Sequence, residues 1–277
     1  MHPHQVKSEP MSESINAGDR LRQKLRNGET TYGLWVTMES ATVSEIAARM
    51  GLDWICIDTE HGELDLQEVA NHLRAISRST TAGIVRISEI EHGLIQRTLG
   101  LGAHGIMIPR VRTAEEVERA VVFAKYPPRG LRGMGVERAT SWGRGIAHAK
   151  TANQRTLVLP MIETVDSGKN LEAIMRVPDV DGFFFGPADF SASAGFVGEW
   201  EGPGIAQELV RIKDRLREKG FPCGVMGTDA NNAKFRIGQG FQMIGLGVDC
   251  TLLIKTVAEL MESLGKPVDA NAWSPNA

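Results

Sequence analysis

Eight short apolar runs, each followed by a stretch with helical periodicity, set the strongest limit on how this chain folds. The runs are 32–38 (YGLWVTM), 54–60 (WICIDTE), 82–87 (AGIVRI), 105–111 (GIMIPRV), 156–163 (TLVLPMIE), 182–189 (GFFFGPAD), 222–228 (PCGVMGT) and 242–248 (QMIGLGV). Several are apolar at successive rather than alternate positions, as expected of parallel strands covered on both faces. The stretches between them are amphipathic. Val43, Ile46, Ala47 and Met50 share one helical face; Ile205, Leu209, Ile212 and Leu216 share another, and Gly220 ends that segment. Eight consecutive strand–helix units predict a closed (β/α)8 TIM barrel. An open doubly wound sheet competes with it, but the dinucleotide-binding form of that sheet requires GxGxxG after the first strand. The sequence there is ESATVSE.

The 277 residues suit one barrel, which typically uses about 250. We expect a flexible leader over 1–20, a single barrel over 21–265 and a tail over 266–277. A net charge of -3 provides no basic field for nucleic acid. No apolar run is long enough to span a bilayer, and the first residues lack the basic-then-apolar order of a secretory signal. Cys56, Cys223 and Cys250 lie far apart without CxxC spacing, which fits reduced thiols. These features point to a soluble cytoplasmic protein with no membrane or nucleic-acid partner. The connection over 126–155 is unusually long and is expected to act as a lid or an interface.

In a barrel of this kind, reactive groups collect where strands end on the C-terminal face. The second strand runs out into Asp58, Glu60 and His61, the third ends with Arg86, the fifth with Glu163, and the sixth leads to Asp189. His61 can move a proton near neutral pH, and a carboxylate three residues earlier, Asp58, could fix its tautomer. A surface turn histidine is the plainer reading of the same residue. Arg86 on a buried strand needs a partner, either a barrel carboxylate or an anionic ligand oxygen. Glu163 and Asp189 together suit a divalent cation that keeps several waters; singly, each could cap a helix or pair with a lysine. Gly186, Pro187 and Ala188 are small and allow a ligand to approach the backbone before Asp189.

The segments IDTEHG, IVRI, GAHGIMIPRV, YPPRGLRGMG, MIET, VDGFFFGPADFSASAG and GVDCTLL resemble the HpcH/HpaI aldolases, over roughly residues 28–265. These are class II pyruvate aldolases of the phosphoenolpyruvate/pyruvate superfamily. The resemblance implies a carbon–carbon lyase that cleaves a 4-hydroxy-2-oxo acid to pyruvate and an aldehyde through a cation-bound enolate. It implies His61 as base with Asp58 as its partner, Arg86 as enolate stabiliser, and Glu163 and Asp189 as ligands of Mg2+ or Mn2+, with Co2+ a third candidate. Ala188 and Asp189 would grip the substrate carboxylate with main-chain groups. A homo-oligomer is implied, a hexamer or trimer of dimers, with the C-terminal helix exchanged between subunits. The chain departs from the family at two positions. Gly100 stands where an aspartate is usual, and Met161 where a glutamine near the substrate is usual. Oxaloacetate decarboxylation or condensation is the alternative activity at the same site, and non-catalytic binding of a 2-oxo acid is a further one.

Overall fold

The computed structural model describes residues 16–266 and 268. Of the expected leader and tail, residues 1–15, 267 and 269–277 lie outside the described residues. Residues 17–20, expected in the leader, instead open helix α1 (Ala17–Arg26). The Asn16 side chain caps that helix at the Asp19 N–H, and Leu21 and Leu25 are buried one turn apart.

The strands are β1 (Thr31–Val36), β2 (Trp54–Asp58), β3 (Ala82–Arg86), β4 (Gly105–Ile108), β5 (Leu157–Ile162), β6 (Phe183–Phe185), β7 (Cys223–Met226) and β8 (Met243–Val248). All pair in parallel in sequence order, and β8 closes on β1 to complete the barrel. Between them lie α2 (Ala41–Arg49), α3 (Leu66–Ala75), α4 (His92–Gly100), α5 (Ala114–Ala124), α6 (Ala149–Arg155), α7 (Val165–Lys169), α8 (Leu171–Ile174), α9 (Pro187–Ser193), α10 (Ile205–Glu218) and α11 (Ala230–Gly238). α12 (Asp249–Ser263) follows β8. The predicted fold is therefore the observed one. The helices start where the sequence supplies caps: Asp65 on α3, Thr113 on α5 and Asp229 on α11 accept first-turn N–H groups.

Strand alternation sorts the core into an inside and an outside. Trp35, Trp54, Cys56, Ile84, Met161 and Phe184 belong to one cluster with Leu21 and Leu25, so α1 packs against the barrel interior. Ile55, Ile57 and Val85 pack outward with Val69 and Leu73 of α3. The inward series Trp54–Cys56 continues to Asp58, the series Ala82–Ile84 to Arg86, and the series Leu157–Leu159–Met161 to Glu163. Three ionisable side chains are thus aimed into the top of the barrel by parity alone.

The 126–155 connection contains two short 3-10 turns, Arg138–Thr140 and Ile146–His148, followed by α6. It exposes Leu131, Met134, Val136 and Trp142.

Candidate active site

The register of β2 against β3 places Asp58 beside Arg86. The Arg86 Nε–H donates to Asp58 Oδ1 at 2.8 Å, and the terminal nitrogen Nη2 donates to Oδ2. The indole N–H of Trp35 donates to the same Oδ2 at 3.1 Å. Main-chain N–H groups of Glu60 and His61 reach Oδ1 at 3.0 and 3.3 Å. Burial alone would raise the pKa of Asp58, but the bonded guanidinium outweighs it and holds the carboxyl below its ordinary value. Arg86 also forms an ion pair with Glu60 at 3.0 Å and lies 5.1 Å from the centre of the Trp35 ring. Burial pushes Glu60 upward; Arg86 and His61 act against that shift.

This geometry differs from the expected Asp58–His61 side-chain pair. The carboxylate of Asp58 is engaged by Arg86 and Trp35, and it meets His61 through the main chain. The imidazole of His61 is 65% exposed and stands 3.9 Å from Glu60. The cause is the strand register: Arg86 is the cross-strand neighbour, whereas His61 lies beyond the end of β2.

Glu163 follows β5 and is only 1% exposed. One of its oxygens accepts the Arg110 N–H, and the other is buried without a hydrogen-bond partner. Burial pushes its carboxyl up to about 8; the Arg110 N–H opposes this, while the nearby charges of Asp189 and Glu60 add to it. Gly186 lies directly over Glu163, and a side-chain carbon there would stand 2.5 Å from the unpartnered oxygen. Asp189 is exposed in the first turn of α9, with Pro187 at the helix start. An orphaned buried carboxylate oxygen beside a second carboxylate fits a hard divalent cation.

A cavity of about 180 Å³ opens at this end of the barrel, lined in part by His61, Arg86, Met161, Gly186, Ala188 and Asp189. Pro187 also lines it, as do Trp35, Phe184 and Trp200. Asp58 and Glu163 lie beneath its surface, each 1% exposed.

Residues 31–256 match the model of the HpcH/HpaI aldolase/citrate lyase family. The chain belongs to that family. A hydroxypyruvate/pyruvate aldolase of Sagittula stellata is 36% identical over 87% of this chain and 95% of its own length. A 2-keto-3-deoxy-L-rhamnonate aldolase of Salmonella gallinarum is 35% identical over 83% and 87%. The crystal structure of a family protein from Burkholderia cenocepacia superposes with a TM-score of 0.85 at 30% identity, covering 89% of this chain and 99% of the other. The chain is an aldolase of this family.

Two parts of the aldolase's site were not singled out in the sequence. Trp35 lies mid-strand among apolar neighbours, and nothing local marks its indole N–H as a partner of Asp58. Arg110 supplies a main-chain donor from a left-handed conformation, φ 52°. A non-glycine residue in that region is uncommon, and here it turns an N–H towards Glu163. At Gly100, the space a side chain would fill is taken by the carboxylate of Glu137.

Proposed function

We propose that this aldolase cleaves a 4-hydroxy-2-oxo acid to pyruvate and an aldehyde, and joins the two in the reverse direction. The observation that carries the reading is the unpartnered buried oxygen of Glu163 beside Asp189, under a cavity that also receives Arg86 and His61. A divalent cation held by Glu163 and Asp189, Mg2+ or Mn2+ with Co2+ a third candidate, would supply Lewis-acid polarisation of the 2-oxo group. The chain's own residues account for the remaining steps. Asp58 and Glu60 hold the guanidinium of Arg86 in place and leave N–H donors free for the C2 oxygen, which gains charge as the C3–C4 bond breaks. His61 takes the proton of the C4 hydroxyl. The C3–C4 electron pair passes into the enolate, C4 leaves as the aldehyde, and C3 is then protonated to give pyruvate. His61 then returns the proton it took, with the Glu60 carboxylate 3.9 Å from its imidazole. We assign the substrate carboxylate to the main-chain N–H groups of Ala188 and Asp189, next to Gly186 and Pro187.

The test is to mix pyruvate, Mg2+ and glycolaldehyde and follow formation of a longer 2-oxo acid. EDTA should abolish it; activity that survives EDTA removes the cation from the account. Rapid pyruvate release from oxaloacetate, faster than with the cation alone and without aldehyde, would favour the decarboxylase alternative.

We assign α12 to a neighbouring copy, in a hexamer or trimer of dimers. Leu253, Ile254, Val257, Leu260 and Leu264 on or beside this helix are exposed, as are Ile46 on α2, Met50 just after it, and Phe235 on α11. Apolar surface on this scale supports burial against a second copy. A cytoplasmic setting is supported by the three free cysteines.

A further inference from the structure

The lining of the reaction cavity carries information about the acceptor. Its charged side chains, His61, Arg86 and Asp189, already have roles in the proposed reaction. The side chains left over are all uncharged and include Trp35, Met161, Phe184, Trp200, Met226 and Val248. None offers a free hydrogen-bonding group to a hydroxylated chain except at the rim. The Trp35 N–H is spent on Asp58, Phe184 and Val248 have no polar atom, and a thioether is at best a weak acceptor. The rings of Trp35 and Phe184 meet at 5.2 Å between centroids, tilted by 47°, and give the cavity an aromatic floor. Met161 is 3% exposed, so it presents a side chain without a donor at the depth of the site. Trp200 is 38% exposed and stands at the mouth, where its ring can cover part of a ligand.

We infer that the acceptor half of the substrate is a small aldehyde with an apolar chain or ring rather than a polyhydroxylated or carboxylated one. Within the proposed reaction, on which this inference rests, the aldehyde carbon takes its polar contacts from His61. The group attached to that carbon lies against Trp200, Met226 and Val248. Each methylene buried there raises kcat/KM about fourfold until the cavity is full. An apolar wall rejects an added hydroxyl only moderately, so discrimination against it is held to about a hundredfold.

The experiment compares propanal with glyceraldehyde, which differ by hydroxyls at equal chain length, as acceptors for pyruvate. Rates are corrected for the unhydrated aldehyde fraction. Exchange of pyruvate methyl protons into D2O is followed in parallel without any aldehyde. We expect propanal to be preferred in kcat/KM by about tenfold to a hundredfold, with butanal better still. In Trp200→Ala and Met226→Gln the preference should shrink towards unity. That ratio does not depend on how much of a variant folds. Proton exchange together with equal or better use of glyceraldehyde overturns this inference and leaves the proposed reaction standing. Absence of exchange removes the proposed reaction, and the acceptor assignment with it.

Discussion

At the N-terminal end of the barrel, Arg22 donates to Asp181 at 2.8 Å and Lys24 meets Asp53 at 2.6 Å. The same aspartates accept the Val158 and Tyr32 main-chain N–H groups at 3.0 and 2.9 Å. Lys125 places its buried ammonium on the carbonyls of Asn153 and Thr156, at 2.7 and 3.0 Å. At the C-terminal end, Glu163 keeps one oxygen without a partner, Asp189 is exposed at the cavity and His61 stands largely in solvent. A buried ion that is fully partnered has no capacity left for a ligand. One that is left short of a partner costs stability, and a ligand can relieve that cost. The parallel strands thus start among closed ion pairs below, whereas above, beside the closed Asp58–Arg86 pair, Glu163 keeps an unspent acceptor oxygen.

The sharpest way to break this contrast is Glu163→Gln. It should lower kcat by about a thousandfold or more, while the melting temperature stays the same or rises, because a buried carboxylate has been removed. Loss of folding without loss of specific activity would make Glu163 a structural residue. His61→Ala should cost about a hundredfold to a thousandfold in turnover. Since the side chain is exposed, its stability effect should stay within about 0.5 kcal/mol by denaturant titration. Asp181→Ala probes the other end. It strands Arg22 and the Val158 N–H, and should lower stability by about 3 kcal/mol. Its activity per folded molecule should be kept, and a large fall there would show that the two ends are not separable.

The smallest expected effect is on pH dependence. Glu163 titrates near 8 in the folded chain, against an ordinary value of 4.5. The folded state therefore holds a proton that the unfolded chain has released between those values. Stability of the cation-free protein should fall as pH rises through that window, by on the order of 2 kcal/mol after solvent relaxation. Thermal melts at pH 5 and pH 8 measure it, and Glu163→Gln should flatten the difference.

The strand–helix alternation was legible because burial on both faces leaves an uninterrupted apolar record in each run. The convergence of Asp58, Arg86 and Glu163 was legible for a related reason: they sit at strand ends, and alternation carries them inward. The pairing among them was not. Residue spacing suggests Asp58 with His61, but which cation a carboxylate meets is decided by register with the next strand, and that places Arg86 alongside. Helix α1 was hidden because it opens on small and charged residues, Ala17 to Arg20; the signal lay in Leu21 and Leu25 after the Asn16 cap. Trp35 was hidden because a strand tryptophan reads as core whether or not its N–H has a polar partner.

The account turns on whether Glu163 and Asp189 share one ligand. Crystals soaked with Mn2+ and pyruvate test this through the anomalous scattering of manganese. The account predicts a single strong peak at coordination distance from the free oxygen of Glu163 and from Asp189, with pyruvate oxygens on the open side and Arg86 against the ligand. A peak elsewhere in the molecule, or pyruvate bound away from Arg86 with no manganese beside Glu163, would contradict it.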